Sequence, residues 1–148
     1  MDRDLEFMAE AIAEAKKGFE AGGIPIGSVI VVDGEVIGRG HNQRVQRGSS
    51  ILHGEMDALE NAGRLPHSVY SRATIYTTLS PCSMCSGAIL LYQIPRVVVG
   101  ERRTYQGEEP WLESRDVEIR NLDLPECKAL MDAFITKFPE LWNEDIGV

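Results

Sequence analysis

Residues 73–99 read ATIYTTLSPCSMCSGAILLYQIPRVVV, and they contain a strand, a helix and a second strand in close succession. The β-branched run 73–78 predicts the first strand, and 96–99 predicts the second. Between them lies an apolar run too long for another strand, which predicts a buried helix. A strand, a helix and a strand in this order form a right-handed crossover, so we expect the two strands to lie parallel in one sheet.

The helix in this segment begins beside two cysteines. Ser80 and Pro81 are residue types that favour a helix start, so we expect Cys82 in the first turn and Cys85 on the same face. The positive end of a helix dipole favours thiolates at this position. The pattern therefore predicts two thiolate ligands at one helix terminus.

A second cluster, His53-Gly54-Glu55, begins another predicted helix. One imidazole and two thiolates give zinc three protein ligands, which leaves the fourth tetrahedral position open, as in catalytic zinc sites. Zinc lowers the pKa of a bound water, and Glu55 is placed to carry the proton that the water loses. We therefore predict one catalytic Zn²⁺ per subunit, held by His53, Cys82 and Cys85, with Glu55 as the proton shuttle.

The rest of the chain alternates helices and strands. Apolar spacing, turn residues and β-branched runs predict helices at about 3–20, 53–63, 108–114 and 125–138, and further strands at 26–32, 35–38 and 117–119, with an Asp-Gly hairpin turn at 33–34. The segment 41–50 reads as a polar loop, and the tail 139–148 is too apolar to be disordered. This order predicts an α/β fold, a three-layer α/β/α sandwich around a mixed five-stranded sheet, formed by residues 1–148 as one domain.

The composition narrows the classes of function. The formal net charge is −8, and no run of Lys or Arg forms a stripe that could follow phosphates, which disfavours a nucleic acid polymer as partner. The amino end lacks the pattern of a secretory signal, no stretch suits a membrane span, and three cysteines do not form a disulfide framework. We therefore expect a cytoplasmic protein that acts on a small molecule.

Other interpretations of the cysteines explain less of the sequence. A Cys-x-x-Cys pair alone would also suit a thioredoxin-like redox site, but that leaves His53 and Glu55 unexplained. A closed structural zinc site needs a fourth ligand, for which only Cys127 or His41 would be available. We expect Cys127 to be a buried core residue and His41 a loop or surface residue.

The order His-x-Glu followed by Pro-Cys-x-x-Cys is typical of zinc-dependent nucleobase deaminases, and most of the chain resembles one branch of them. From about residue 23 onward the sequence is similar to the fungal-type cytosine deaminases of the cytidine-deaminase-like superfamily. The segments that carry this resemblance are IPIG at 24–27, GRGHN at 38–42, LHGE at 52–55, YTTLSPC at 76–82, IPR at 94–96 and WNEDIG at 142–147.

The resemblance implies roles that the residue types alone do not. It implies that Asn42 and Asp145 hydrogen-bond a pyrimidine and that Tyr105 and Trp142 close over it as a lid. The same resemblance implies that Gly54 and Ser80 also bind the substrate. It also implies a homodimer of the cytidine deaminase-like fold that deaminates free cytosine to uracil and ammonia in pyrimidine salvage. The family has phenylalanine where this chain has Tyr105, and the adjoining loop 106–110 is altered.

Three alternatives stay open on the sequence. Another small ring, such as isocytosine, a methylated cytosine or guanine, would suit the same chemistry. A tRNA adenosine deaminase shares the zinc motifs, but the acidic charge and the tail at 142–147 oppose it. A zinc-stabilised interaction module would have no use for Glu55 or for an open coordination position.

Overall fold

The computed structural model describes residues 2–148. Five strands form one mixed sheet: β1 Gly27–Val32, β2 Glu35–His41, β3 Ala73–Leu79, β4 Arg96–Glu101 and β5 Glu118–Asn121. The longer helices are α1 Arg3–Glu20, α3 Gly54–Ala62, α5 Ser83–Leu91 and α7 Pro125–Lys137, and the shorter ones are α2 Arg44–Arg47, α4 His67–Tyr70, α6 Glu109–Ser114 and α8 Pro139–Asp145.

The strands follow the order β2-β1-β3-β4-β5 across the sheet. β1 is antiparallel to both β2 and β3, whereas β3, β4 and β5 are parallel, which confirms the crossover predicted from 73–99. At the hairpin between β1 and β2, Asp33 and Gly34 have φ values of 52° and 80°, the left-handed conformation that an Asp-Gly turn of type I′ requires.

Helices cover both faces of the sheet. On one face Ala58 of α3, Ile89 of α5 and Leu112 of α6 pack against apolar strand residues. On the other face Met8 of α1 and Cys127 of α7 pack against the alternate residues of the same strands. Every residue of β1 is buried, as expected for a central strand covered on both sides. The three-layer sandwich with a mixed sheet is therefore confirmed.

Some local predictions are wrong. β2 runs to His41 instead of stopping near residue 38, so His41 is a buried strand residue and not a surface one. The predicted polar loop contains the short helix α2, and the apolar tail forms α8. Cys127 is buried in the core, as predicted.

Within residues 2–148, none of the helices combines the length and the apolar character needed to span a bilayer.

Candidate active site

The amino ends of α3 and α5 bring the two predicted zinc clusters together. His53 is the N-cap residue of α3, and Cys82 is the N-cap residue of α5, with Cys85 in the first turn of α5. His53 Nδ1 lies 3.4 Å from Cys82 Sγ and 3.7 Å from Cys85 Sγ. All three donor atoms lie within 4.8 Å of one another. His53 lies 29 positions before Cys82 and 32 before Cys85, and the fold brings the two helix starts together.

The donor set fits a zinc ion. Tetrahedral zinc with ordinary Zn–N and Zn–S bond lengths holds its nitrogen and sulfur ligands about 3.6 Å apart. The distances from His53 Nδ1 to the two sulfurs, 3.4 and 3.7 Å, match that spacing. Neither Cys127 nor His41 belongs to the cluster found among residues 2–148, so the closed four-ligand site is not formed. The protein thus has three ligands for one Zn²⁺, as predicted.

The start of α5 differs from the sequence prediction in one residue. Cys82, with φ −70° and ψ 179°, occupies the cap position, so the helix begins at Ser83 and Ser80 lies outside it. The hydroxyl of Ser80 donates to Glu109 Oε2 at 2.6 Å instead of capping the helix. The prediction of Ser80 as the helix cap is therefore wrong, because its oxygen accepts the amide of Gly107 at 3.0 Å and not an amide of α5.

The far nitrogen of His53 faces the C-terminal helix. Its Nε2 lies 3.4 Å from Asp145 Oδ1, and the same oxygen accepts a hydrogen bond of 2.8 Å from Asn42 Nδ2. Asn42 is fully buried, and its Oδ1 accepts the amide of Arg44 at 3.0 Å, which fixes the orientation of the side chain. A carboxylate on the second nitrogen of a histidine ligand holds the ring in the tautomer that exposes the first nitrogen to the metal.

The charges around the metal ligands favour thiolate and imidazolium in the absence of a metal. A hydrogen bond with Cys85 and another with His53 outweigh burial and lower the pKa of the Cys82 thiol to about 4. Burial opposes the charged form of His53, but the contact with Cys82 and the charge of Asp145 raise its pKa to about 9. A divalent cation at this position would take over the role of the proton on Nδ1.

Glu55 is the buried carboxyl group beside these ligands. It is 4% exposed, and its burial, reinforced by the charge of Cys82, raises its pKa to about 7. A carboxyl group with a pKa near neutrality exchanges a proton readily in either direction at physiological pH. The predicted shuttle therefore has the environment that proton transfer requires.

A small cavity opens onto the metal ligands. Its volume is about 10 Å³, roughly the room that one water molecule needs. Tyr105 and Trp142 both line it, with their ring centroids 6.2 Å apart and the ring planes nearly perpendicular. The lining residues, including those already named, are Ile26, His53, Glu55, Leu79, Ser80, Cys82, Tyr105, Trp142, Asp145 and Ile146.

The structure thus gathers the predicted residues at one place. Gly54 follows His53 at the start of α3 and packs on Ile26, where a Cβ would lie 3.0 Å from the Ile26 carbonyl oxygen. The sequence analysis missed the apolar walls Ile26, Leu79 and Ile146, since isolated apolar residues carry no signal that separates a cavity wall from ordinary core. It also missed the buried carboxylate of Glu109.

The fold and the site together define a zinc-dependent deaminase. The model for the cytidine and deoxycytidylate deaminase zinc-binding region matches residues 1–101. The chain is 56% identical over 145 residues to the cytosine deaminase of Candida albicans, covering 97% of each protein. The chain belongs to the cytidine and deoxycytidylate deaminase family, and the resemblance to the fungal-type cytosine deaminases is confirmed.

More distant relatives share the fold and the zinc region. The chain is 46% identical over 101 residues to a tRNA-specific adenosine deaminase of Bacillus subtilis, covering 68% of this chain and 63% of that protein. A solved structure from a study of A-to-I editing by tRNA:A34 deaminases superposes with a TM-score of 0.73 at 28% identity, covering 85% of this chain and 99% of that one.

Proposed function

We propose that this protein catalyses the zinc-dependent hydrolytic deamination of free cytosine to uracil and ammonia. The observation that carries the proposal is the buried hydrogen bond of 2.8 Å between Asn42 and Asp145, directly beside the zinc ligand His53. Asp145 lines the cavity and offers its carboxylate to a small polar ring, while Asn42 holds that carboxylate in place. The 56% identity to a cytosine deaminase over 97% of the chain supports the same substrate.

Glu55 carries the protons of the reaction. When bound, the zinc ion supplies an activated water for attack on the ring carbon that bears the amine. Glu55 takes one proton of that water and delivers it to the ring nitrogen N3. It then takes the proton of the hydroxyl group added to the ring carbon and delivers it to the amine, which leaves as ammonia. Because its pKa is raised to about 7 by burial, one carboxyl group accepts and donates these protons in turn.

The remaining polar groups fix the orientation of the substrate in the site. The amide and the hydroxyl of Ser80 are hydrogen-bonded within the protein, to Glu101 and Glu109, so its carbonyl is the group that would accept the exocyclic amine. Gly54 is the first residue of α3, and its amide has no acceptor inside the helix, so it would donate to a ring carbonyl. Asn42 and Asp145 complete the polar edge.

Tyr105 and Trp142 form the lid of the site. A cavity of about 10 Å³ is much smaller than a pyrimidine, so the two rings must move apart for the base to enter and then close against it. Closure excludes water from the metal and keeps the pKa of Glu55 high. A lid of two side chains admits a free base more readily than a base attached to a polymer.

The test is a panel of free bases and nucleosides assayed for ammonia release, with zinc measured in the same samples. We expect cytosine to be turned over in proportion to zinc content. If isocytosine, a methylated cytosine or guanine is deaminated and cytosine is not, the proposed substrate is wrong. The proposed zinc chemistry would still hold in that case. No release from any compound by zinc-loaded protein would contradict the enzymatic function itself.

A tRNA adenosine deaminase is the second candidate, because relatives of that activity match 68% of the chain at 46% identity. The net charge of −8 opposes binding of a polyanion. Trp142 and Asp145 of α8 line the cavity, and we expect them to restrict entry of a nucleotide that is part of a strand. Adding an unmodified tRNA to the panel and measuring inosine would distinguish the two activities.

The proposal includes a homodimer. On the surface of α5, Leu91 is 70% exposed and Tyr92 is 44% exposed. Next to them Met56 and Leu59 of α3 help to line a groove of about 410 Å³. A second copy covering this face would bury apolar surface and support the two helices that carry the zinc ligands. The double variant Leu91→Asp, Tyr92→Asp should then elute as a monomer in light-scattering chromatography.

We further propose that residues 1–148 act as a single domain in the cytoplasm, in pyrimidine salvage. All three cysteines are free thiols, and the two zinc ligands must stay reduced, which a cytoplasmic environment provides. The cores on the two faces of the sheet share the same strands, which supports one cooperative unit. Uracil, unlike cytosine, would then be the base passed on to nucleotide synthesis.

A further inference from the structure

The loop 102–108 carries Tyr105 and lies between two buried carboxylates. Glu101, the last residue of β4, is 0% exposed, and Glu109, the first residue of α6, is 1% exposed. Glu101 Oε1 accepts the amides two and three residues further along the chain, at 2.8 and 3.0 Å, and so fixes the start of the loop. Both ends of the loop are therefore anchored by buried carboxyl groups.

Glu109 joins the end of this loop to Ser80. The hydroxyl of Ser80 donates to Glu109 Oε2 at 2.6 Å and accepts the amide of Gly107 at 3.0 Å. The other oxygen of Glu109 accepts a hydrogen bond of 2.9 Å from Arg102 Nη1, at the start of the same loop. One carboxylate thus holds the start of the loop directly, through Arg102, and the end of the loop through the hydroxyl of Ser80.

Ser80 belongs to the segment that leads to the zinc ligand Cys82. The amide of Glu108 donates to the carbonyl of Pro81 at 3.0 Å. Gly107 lies so close that a Cβ on it would be 1.8 Å from the same carbonyl oxygen. The backbone of the loop therefore rests directly on the residues that precede Cys82.

We propose that Glu109 is a positioning residue for the deaminase site. Through Ser80 it holds the loop of Tyr105 against the segment that ends in Cys82, and so sets the separation between the aromatic lid and the metal. Glu109 is 1% exposed and both of its carboxylate oxygens are hydrogen-bonded within the protein, to Ser80 and Arg102, so it acts through its neighbours and not by touching the base. The inference rests on the proposed function for its kinetic consequence only, because the position of the loop is measurable without substrate.

The test uses the fluorescence of Trp142 to report the position of the loop 102–108. Trp111 of α6 is 39% exposed and is replaced by Phe, so that Trp142, which contacts Tyr105, is the remaining tryptophan. Acrylamide quenching of its fluorescence is then compared in zinc-loaded protein with and without Glu109→Gln. The matched control is Glu113→Gln, which removes the same charge from an exposed position of the same helix.

We expect Glu109→Gln to make Trp142 more accessible to acrylamide while zinc content stays at one per chain. Losing a hydrogen bond to a buried charge corresponds to about a fivefold to hundredfold change in an equilibrium constant, and we expect it as a higher KM for cytosine with a smaller change in kcat. Glu113→Gln should match the parent in both measurements. Unchanged quenching in Glu109→Gln would overturn the proposal, whether or not any base is deaminated.

Ser80→Ala provides a second route should Glu109→Gln fold poorly. It removes the hydroxyl that links Glu109 to Gly107 and should raise the quenching and KM in the same direction. If the two residues act through one hydrogen bond, the double variant should resemble the more affected single variant. Additive effects in the double variant, or loss of zinc with unchanged quenching, would contradict the assignment.

Discussion

His53 Nε2 lies 3.4 Å from Asp145 Oδ1, so a zinc ligand from the start of α3 contacts a carboxylate from the last turn of α8. The same carboxylate accepts a hydrogen bond from Asn42. Asp145 therefore orients the ring that binds the metal, and in the proposed function the same residue also faces the base. This contact joins the C-terminal helix to the metal centre.

Asp145→Asn should weaken zinc binding. An asparagine oxygen cannot satisfy the Nε2 proton of His53 and the amide of Asn42 as well as a carboxylate does, and loss of such a partner typically lowers metal affinity about tenfold to a hundredfold. Zinc release to a chromophoric chelator at fixed pH measures the effect. Glu144→Gln, at the exposed neighbouring position, is the control and should release zinc like the parent. Equal release from Asp145→Asn would contradict the role in zinc binding.

Glu55→Gln should retain zinc and lose nearly all turnover, about a hundredfold or more, since an amide of the same shape cannot move protons. Ammonia release per bound zinc is the measurement. Glu60→Gln, on the exposed side of the same helix, should keep parental activity. An undiminished rate in Glu55→Gln would show that another group carries the proton.

Tyr105→Ala should raise KM for the free base by about tenfold or more, because it removes an edge-to-face contact with Trp142 and opens the cavity to water. Tyr105→Phe keeps the ring and should stay within about threefold of the parent, as the aromatic contact is made by the ring and not by the hydroxyl. Steady-state kinetics with cytosine separates the two. If Tyr105→Phe changes KM as much as Tyr105→Ala, the hydroxyl and not the ring would be the group that matters.

Because of Asp4, the free energy of unfolding should depend on pH under acidic conditions. Hydrogen bonds from Arg96, together with those from Tyr76 and Arg120, hold the pKa of the Asp4 carboxyl well below its usual value of 3.8. A carboxyl group whose pKa falls on folding stabilises the folded state fully above its usual pKa, and this contribution is lost as pH falls below it.

The corresponding variant is Asp4→Asn, which should lower the free energy of unfolding by about 2 kcal/mol at pH 7. The difference from the parent should shrink as pH falls below about 4, because Asp4 then takes up a proton in the unfolded parent while the folded carboxyl group stays ionised. Urea unfolding at a series of pH values measures this. Glu6→Gln, an exposed residue of the same helix, controls for the change in net charge. A difference that is constant down to pH 2 would contradict the assignment.

The local patterns of the sequence predicted most of the elements. The β-branched runs at 73–78 and 96–99, and the Asp33-Gly34 turn, act through backbone preferences that need no distant partner, and all three were correct. The start of α5 was misplaced because the hydroxyl oxygen of Ser80 accepts the amide of Gly107 and not an amide of the helix. Only the fold places Gly107 and Glu109 within hydrogen-bond distance of this hydroxyl.

The sequence by itself determined the chemistry, because the spacing of His53, Glu55, Cys82 and Cys85 supplies three zinc ligands and a proton carrier. The residues that would shape the substrate pocket were decided by tertiary structure. Asn42 and Asp145 are 103 positions apart, and they form a buried 2.8 Å hydrogen bond only because β2 and α8 end at the same side of the sheet. Short-range spacing reveals metal ligands on helix termini, whereas contacts between distant segments arise only when the chain packs.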